Sequence, residues 1–344
     1  MKRFHQLDAL RFFLAGIVVL GHCSGWERTL ANGALAVDFF FHLSGFVLAH
    51  ALFQKPQTSL LEFAISRFSR LAPLHYFTLS LLILFWFTQY LKLPYNEQGL
   101  PQALLNLLLL NGFIPSETYY YNWPSWSISA EFWLNLIVFF SIAKYRLRIL
   151  SAFIAAAVLY LVLSSGKRLD HVLESFHFTT IAAARCLLGL CIGYLTYEVF
   201  NSVASLRFPS FPITLIEATL VAALFYSLDI DSFAGRLACW ALIPPSILIL
   251  SLKSGYLSRL LSIRLFAALG SLSYGIYLLH GPMLIIGKRL GLISSPGEMT
   301  LSSGFAILAT SAALAIPLYR YLELPSKRYL NAKLKLKINK IPPR

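Results

Sequence analysis

Long apolar stretches alternate with short polar breaks along the whole chain, and the apolar stretches have the length of membrane spans. A helix needs about 20 apolar residues to cross hydrocarbon. Ten such stretches stand out, near 9–25, 33–52, 73–91, 124–143, 149–165, 179–198, 212–228, 236–252, 265–287 and 302–322. The run from Leu104 to Phe113 is too short to span and reads as re-entrant or interfacial. Gly16, Pro244-Pro245, Gly270, Gly275, Pro282 and Pro317 fall inside spans, where neighbouring helices can re-satisfy the backbone. The pattern predicts an all-α fold, a polytopic transmembrane helical bundle of about ten spans. Residues 1–325 form one transmembrane domain in this reading, and 326–344 a basic tail.

Composition agrees. Of 344 residues 57% are hydrophobic and only 13% charged, with a mean hydropathy of +0.66, whereas about a quarter of a soluble domain is charged. The Lys2-Arg3 start resembles the basic end of a signal peptide, but no small-x-small cleavage site follows, so a retained first helix is expected. Lysine and arginine set the orientation. With the N-terminus inside, the inner loops hold Lys2, Arg3, Lys55, Arg67, Arg70, Lys144, Arg146, Arg148, Arg207, Lys253, Arg259 and Arg264, joined by the basic stretch from Arg320 to Arg344. The outer loops hold only Arg28, Lys92, Lys167, Arg168, Arg236, Lys288 and Arg289. Both termini are therefore expected in the cytoplasm. The net charge of +14 is a matter of topology and calls for no nucleic-acid partner. The tail suits an anionic inner leaflet, so membrane lipids are expected partners. Cys23, Cys186, Cys191 and Cys239 lie in expected spans without metal-ligand spacing, so they read as packing residues and no metal is expected.

Polar residues inside spans carry the chemistry. Arg11 and His22 share the first span, and the eleven steps between them bring His22 back to within about 20° of Arg11, about 16 Å further along the axis. Asp8 lies one turn before Arg11 on nearly the same stripe. By depth, His22, Asp38, Glu131 and His280 fall near the outer ends of their helices. Arg11 lies in the inner half, and Arg67 and Arg70 flank the cytoplasmic entrance to the third helix. Inner guanidinium groups suit phosphates, and an outer histidine backed by carboxylates suits general-base activation of a hydroxyl. A ligand with phosphates inside and a long arm ending in a thioester fits between the two. Asp38 and Glu131 either orient His22 or pair with Arg11 or Arg185. Trp123, Trp126, Trp133 and Tyr119–Tyr121 either stack on a sugar or form an aromatic belt. His5, His50, His171 and His177 read as interfacial residues.

At these residues the chain resembles the membrane acyltransferase-3 family. The Arg-x10-His signature falls at Arg11 and His22, and Val-Asp-Phe-Phe-Phe-x-Leu-Ser-Gly-Phe at 37–46. Arg-x-x-Arg-Leu-x-Pro-Leu-His follows at 67–75, Trp-Ser-x-Ser-x-Glu at 126–131, and Ser-Tyr-x-x-Tyr-Leu-x-His at 273–280. His42 departs from the family pattern, which has an aliphatic residue there, and without a fused hydrolase-like domain the chain resembles the stand-alone branch. The resemblance implies a multi-pass enzyme of the bacterial inner membrane that O-acylates a surface or lipid-linked glycan, with acyl-CoA as co-substrate and no permanently bound cofactor. It implies His22, Arg11, Glu131, Asp38 and His280 as catalytic candidates and Arg11, Arg67 and Arg70 for the donor. Trp123, Trp126, Ser127 and Tyr277 are the acceptor candidates. A secondary transporter is the alternative, since it too carries many helices and buried charges.

Overall fold

The computed structural model describes residues 4–23, 33–90, 99–115, 121–166, 172–177, 179–230, 232–293 and 299–338. Its helices are α1 (His5–Cys23), α2 (Ala36–Gln54), α3 (Leu60–Tyr90), α4 (Gly99–Leu107), α5 (Trp126–Leu134), α6 (Phe140–Lys144) and α7 (Arg148–Ser164). They continue as α8 (Ile181–Val203), α9 (Ser210–Ser227), α10 (Phe233–Leu252), α11 (Tyr256–Leu260), α12 (Arg264–Arg289), α13 (Leu301–Leu318) and α14 (Leu324–Ile338). Between α7 and α8 a pair of two-residue antiparallel strands matches Ser175 with Thr180. Among the described residues nine helical segments are long and apolar enough to cross a membrane, and α7 is a shorter apolar helix. The chain is thus an all-α polytopic bundle. Lys2, Arg3, Arg28, Lys92, Lys167, Arg168, His171, Tyr119, Tyr120 and residues 339–344, which entered the orientation, aromatic and tail expectations, lie outside the described residues.

Two spans differ from their expected limits. The third starts at Leu60, thirteen residues before the expected 73. Ser59 and Glu62 form a reciprocal capping box there: the Ser59 N–H donates to Glu62 Oε2 at 2.7 Å and the Glu62 N–H to Ser59 Oγ at 3.2 Å. Arg67 and Arg70 therefore sit inside α3, not at its mouth. The last span continues past 322 through a π-helical turn at Tyr319–Glu323 into α14, which packs on α3. Pro325 follows that turn, where a residue without an N–H cannot keep the α register. A second π turn, Asn135–Phe139, joins α5 to α6. The segment Leu104–Phe113 is the end of α4 and a tight turn beyond it. A buried polar seam pins it: the Gly112 N–H donates to Ser129 Oγ at 2.9 Å, Asn111 Nδ2 to Ser125 Oγ at 2.9 Å, and Thr180 Oγ1 to the Gly112 carbonyl at 2.5 Å.

Glycine sets the central packing. α1 lies against α2, α12 and α13, and α2 lies along α8. A Cβ on Gly45 would fall on the Leu190 carbonyl, one on Gly193 on the His42 carbonyl, and one on Gly270 on the Asp8 backbone. Backbones touch at these crossings, the small-residue packing that holds helices together in lipid. Gly45→Val is expected to lower the melting temperature in detergent by about 5–10 °C. Gly16→Ala stays near wild type, because its Cβ would meet only Leu308 methyls at 3.7 Å and 4.0 Å. Equal melting of the two variants would refute the backbone-contact reading. The four cysteines are buried and free, and Phe211, Leu215 and Tyr226 of α9 with Phe305 and Ile316 of α13 stand exposed, as lipid-facing positions do.

Candidate functional site

Because α1 is one unbroken helix, Arg11 and His22 keep the common face that their spacing dictates. At its far end His22 stacks on His280 of α12, with ring centroids 5.2 Å apart and planes 23° from parallel. Trp123 meets both in T-shaped contacts, at 4.4 Å from His22 and 5.1 Å from His280. His280 Nδ1 faces the Tyr277 carbonyl at 2.5 Å. A carbonyl only accepts, so Nδ1 carries the proton and Nε2 a lone pair. That Nε2 is buried and makes no hydrogen bond, and the same holds for His22 Nδ1, whose polar neighbour is the Val18 backbone one turn back.

The turn Trp123–Ser125 that supplies Trp123 is fastened to α12. Asn122 Nδ2 donates to the Leu278 carbonyl at 3.0 Å and to Thr78 Oγ1 at 2.9 Å. Tyr277 Oη donates to the Pro124 carbonyl at 2.9 Å and meets Ser127 Oγ at 2.8 Å. Gly281 makes the docking possible, since a Cβ there would lie 2.7 Å from Pro124 Cδ and 2.8 Å from Asn122 Oδ1. Ser127 and Tyr277, expected at the acceptor, are thus buried and bonded to each other, with Tyr277 ring to ring with His280 at 5.8 Å.

The other pole of the site is a cluster of arginines and carboxylates. Arg11 pairs loosely with Asp8 at 3.8 Å and lies over the Phe40 ring at 5.8 Å. Arg67 feels the charges of Arg70, Glu131 and Arg11, and Glu323 those of Arg70 and Lys327. Glu131 Oε1 accepts from Ser44 Oγ at 2.6 Å. Tyr274 donates to the Leu71 carbonyl at 2.5 Å and feels both Glu131 and Glu323. Arg67 thus lies within electrostatic reach of both Arg11 and Arg70. Arg67 and Arg70 are half-buried without a hydrogen bond or ion pair among the described residues, and Arg67 Nε is sealed from solvent. Bare guanidinium groups within a membrane bundle are costly unless a ligand satisfies them.

Phe40 joins the two poles. Its ring lies under Arg11 and 6.0 Å from the Tyr277 ring, edge-on. Between Ala36 and Leu52 of α2 the half-exposed positions are Phe40, Ser44, Val47 and Ala51, a spacing of four, three and four, while Phe39, Phe41, Leu43, Phe46 and Leu48 are buried. These four positions form one partly buried stripe on the helix, and it includes Ser44 of the Ser44–Glu131 bond.

Two carboxylates lie away from His22. Asp38 takes Arg185 Nε at 3.1 Å on Oδ1, and on Oδ2 it takes Arg185 Nη2 at 2.9 Å and Trp240 Nε1 at 3.0 Å. Arg185, 1% exposed, also donates to the Ala34 carbonyl at 3.0 Å and lies over Trp126 at 5.5 Å. Of the two alternatives open for Asp38, the structure takes the ion pair with Arg185. Glu131 joins the arginine cluster instead of a histidine. Trp126 is spent on Arg185 and Phe41, which leaves Trp123 as the tryptophan at the histidine pair. His42 is buried against α8, its Nδ1 at 2.7 Å from the Asp38 carbonyl, and His50 is buried against Phe4 and Tyr197, not interfacial. Sequence reasoning passed over Phe40, Ser44 and Glu323. Glu323 had a signal, as the sole acid in the last 44 residues.

Residues 4–320 match the family described as an acyltransferase domain. Over 95% of its length the chain is 25% identical to acyltransferase MdmB of Streptomyces mycarofaciens, of which it covers 92%. Over 95% of its length it is also 23% identical to peptidoglycan O-acetyltransferase OatA of Listeria monocytogenes, of which it covers 56%. No solved structure matches the chain. With nearly its whole length matched and its signature residues gathered at two poles of a membrane bundle, the chain belongs to the membrane acyltransferase-3 family.

Proposed function

We propose that this enzyme transfers an acyl group, acetyl before any longer chain, from cytoplasmic acyl-CoA to a hydroxyl of a surface or lipid-linked glycan on the outer side of the bacterial inner membrane. The observation that carries this reading is the pairing of two unsatisfied arginines, Arg67 and Arg70, with a histidine pair that Phe40 and Tyr277 link to the arginine pole. Phosphates at the arginines place a thioester at the end of a flexible arm near His22, since about 16 Å of helix is comparable to the reach of that arm. His22 Nε2 takes the proton of the acceptor hydroxyl, and the oxygen attacks the thioester carbonyl. The carbon–sulfur bond of the tetrahedral intermediate then breaks, and the CoA sulfur leaves with the proton that His22 held. His280 positions the His22 ring, and Trp123 offers a face for a sugar. The relative named a peptidoglycan O-acetyltransferase supports a glycan acceptor, and the charge asymmetry of the loops supports cytoplasmic termini. Residues 1–325 act as the catalytic body, with the tail 326–344 on the inner leaflet.

Purified enzyme in detergent is expected to release CoA from acetyl-CoA only when a glycan fragment with free hydroxyls is present; no acceptor-dependent release would refute the reading. Orientation has its own test. Single cysteines introduced at 92 and 146 are expected to label from outside and only after permeabilisation, respectively. Reversed labelling overturns the inside-to-outside scheme.

A further inference from the structure

We propose that Arg70 and Glu323 form a two-sided subsite, in which Arg70 holds a phosphate of the donor and Glu323 accepts a hydrogen bond from a hydroxyl or amine beside that phosphate. This inference rests on the acyl-CoA reading above. Glu323 ends the π turn between α13 and α14, which sets its carboxylate against α12, with Oε1 3.8 Å from where a Gly275 Cβ would stand. It faces Arg70 and Tyr274 in one half-buried cluster, yet it makes no hydrogen bond or ion pair among the described residues. Arg70 makes none either. Opposite charges within electrostatic reach in a low-dielectric setting gain by closing on each other, and these two stay more than 4 Å apart. A gap with a cationic donor on one side and an anionic acceptor on the other fits a group that accepts and donates from neighbouring atoms. Phosphate alone does not fit, because the carboxylate repels it. A phosphorylated ribose does: the nucleotide end of CoA has a phosphate and a hydroxyl on adjacent carbons. Arg11 and Arg67 belong to the same cluster and complete the anion site, with the Glu131 charge acting on Arg67.

The test measures binding of CoA, dephospho-CoA and pyrophosphate to the full chain in detergent micelles. Wild type binds CoA more tightly than dephospho-CoA, and Arg70→Ala abolishes that preference. Glu323→Ala weakens CoA about tenfold, the scale of one hydrogen bond to a charged group. Glu323→Gln, which keeps an acceptor oxygen and the side-chain shape, loses less. Pyrophosphate binding is equal or tighter in both Glu323 variants. Unchanged CoA affinity in Glu323→Ala overturns the subsite and leaves the donor reading intact. Parallel weakening of pyrophosphate also overturns it, because the carboxylate would then only hold the arginines in place. Absence of CoA binding in wild type removes the donor reading, and the subsite with it.

Discussion

His22→Ala is expected to abolish acyl transfer in a protein that still inserts, folds and binds donor. The ring is held by neighbouring rings, at 4.4 Å from Trp123 and 5.2 Å from His280, and its Nδ1 makes no hydrogen bond. Its removal therefore costs only modest packing. In the proposed mechanism the reaction loses its base, and general-base catalysis is worth about 10²–10⁴-fold. His280 does not substitute: its lone-pair Nε2 is sealed inside the bundle, out of reach of an acceptor from the outer side. The measurement is acceptor-dependent CoA release beside equilibrium CoA binding. A rate near wild type in a properly inserted variant would sink the general-base role. Lost CoA binding would move His22 to the donor site.

Asp38→Ala is expected to fail in the opposite way, losing the fold before the chemistry. Its carboxylate takes three hydrogen bonds, two from Arg185 and one from Trp240. Removing it strands a guanidinium that is 1% exposed. Breaking a buried pair from one side costs about 3–5 kcal/mol, whereas replacing both partners by apolar groups is often neutral. The double variant Asp38→Leu with Arg185→Met should recover most of the thermal stability that Asp38→Ala loses. If Asp38→Ala melts like wild type and is inactive, the carboxylate takes part in the reaction after all.

These two residues also mark what was legible in the sequence. Span order was, and span number to within one, since apolar run length is fixed by bilayer thickness and only α7 falls short of it. So was the common face of Arg11 and His22, because both lie on one helix and helical geometry settles it. Depth alone could not place Asp38. Depth gives height along a helix but not the helix it faces, and Asp38 looks toward α8 and α10. Hydropathy placed the third span late because Glu62, Arg67 and Arg70 lower the average there, although the Ser59–Glu62 box was readable. Glu323 was lost because a lone acid at the end of a span looks like an interface residue until the π turn shows where it points.

The glycine crossings have a last consequence, for how material can move through this protein. Where Gly45 meets the Leu190 backbone and Gly270 that of Asp8, no side-chain layer separates the helices, so a shift of one against the other meets backbone directly. In the scheme proposed above, the crossing then falls to the ligand's flexible arm: only the acyl group changes sides, and the bulky nucleotide stays in the compartment it came from.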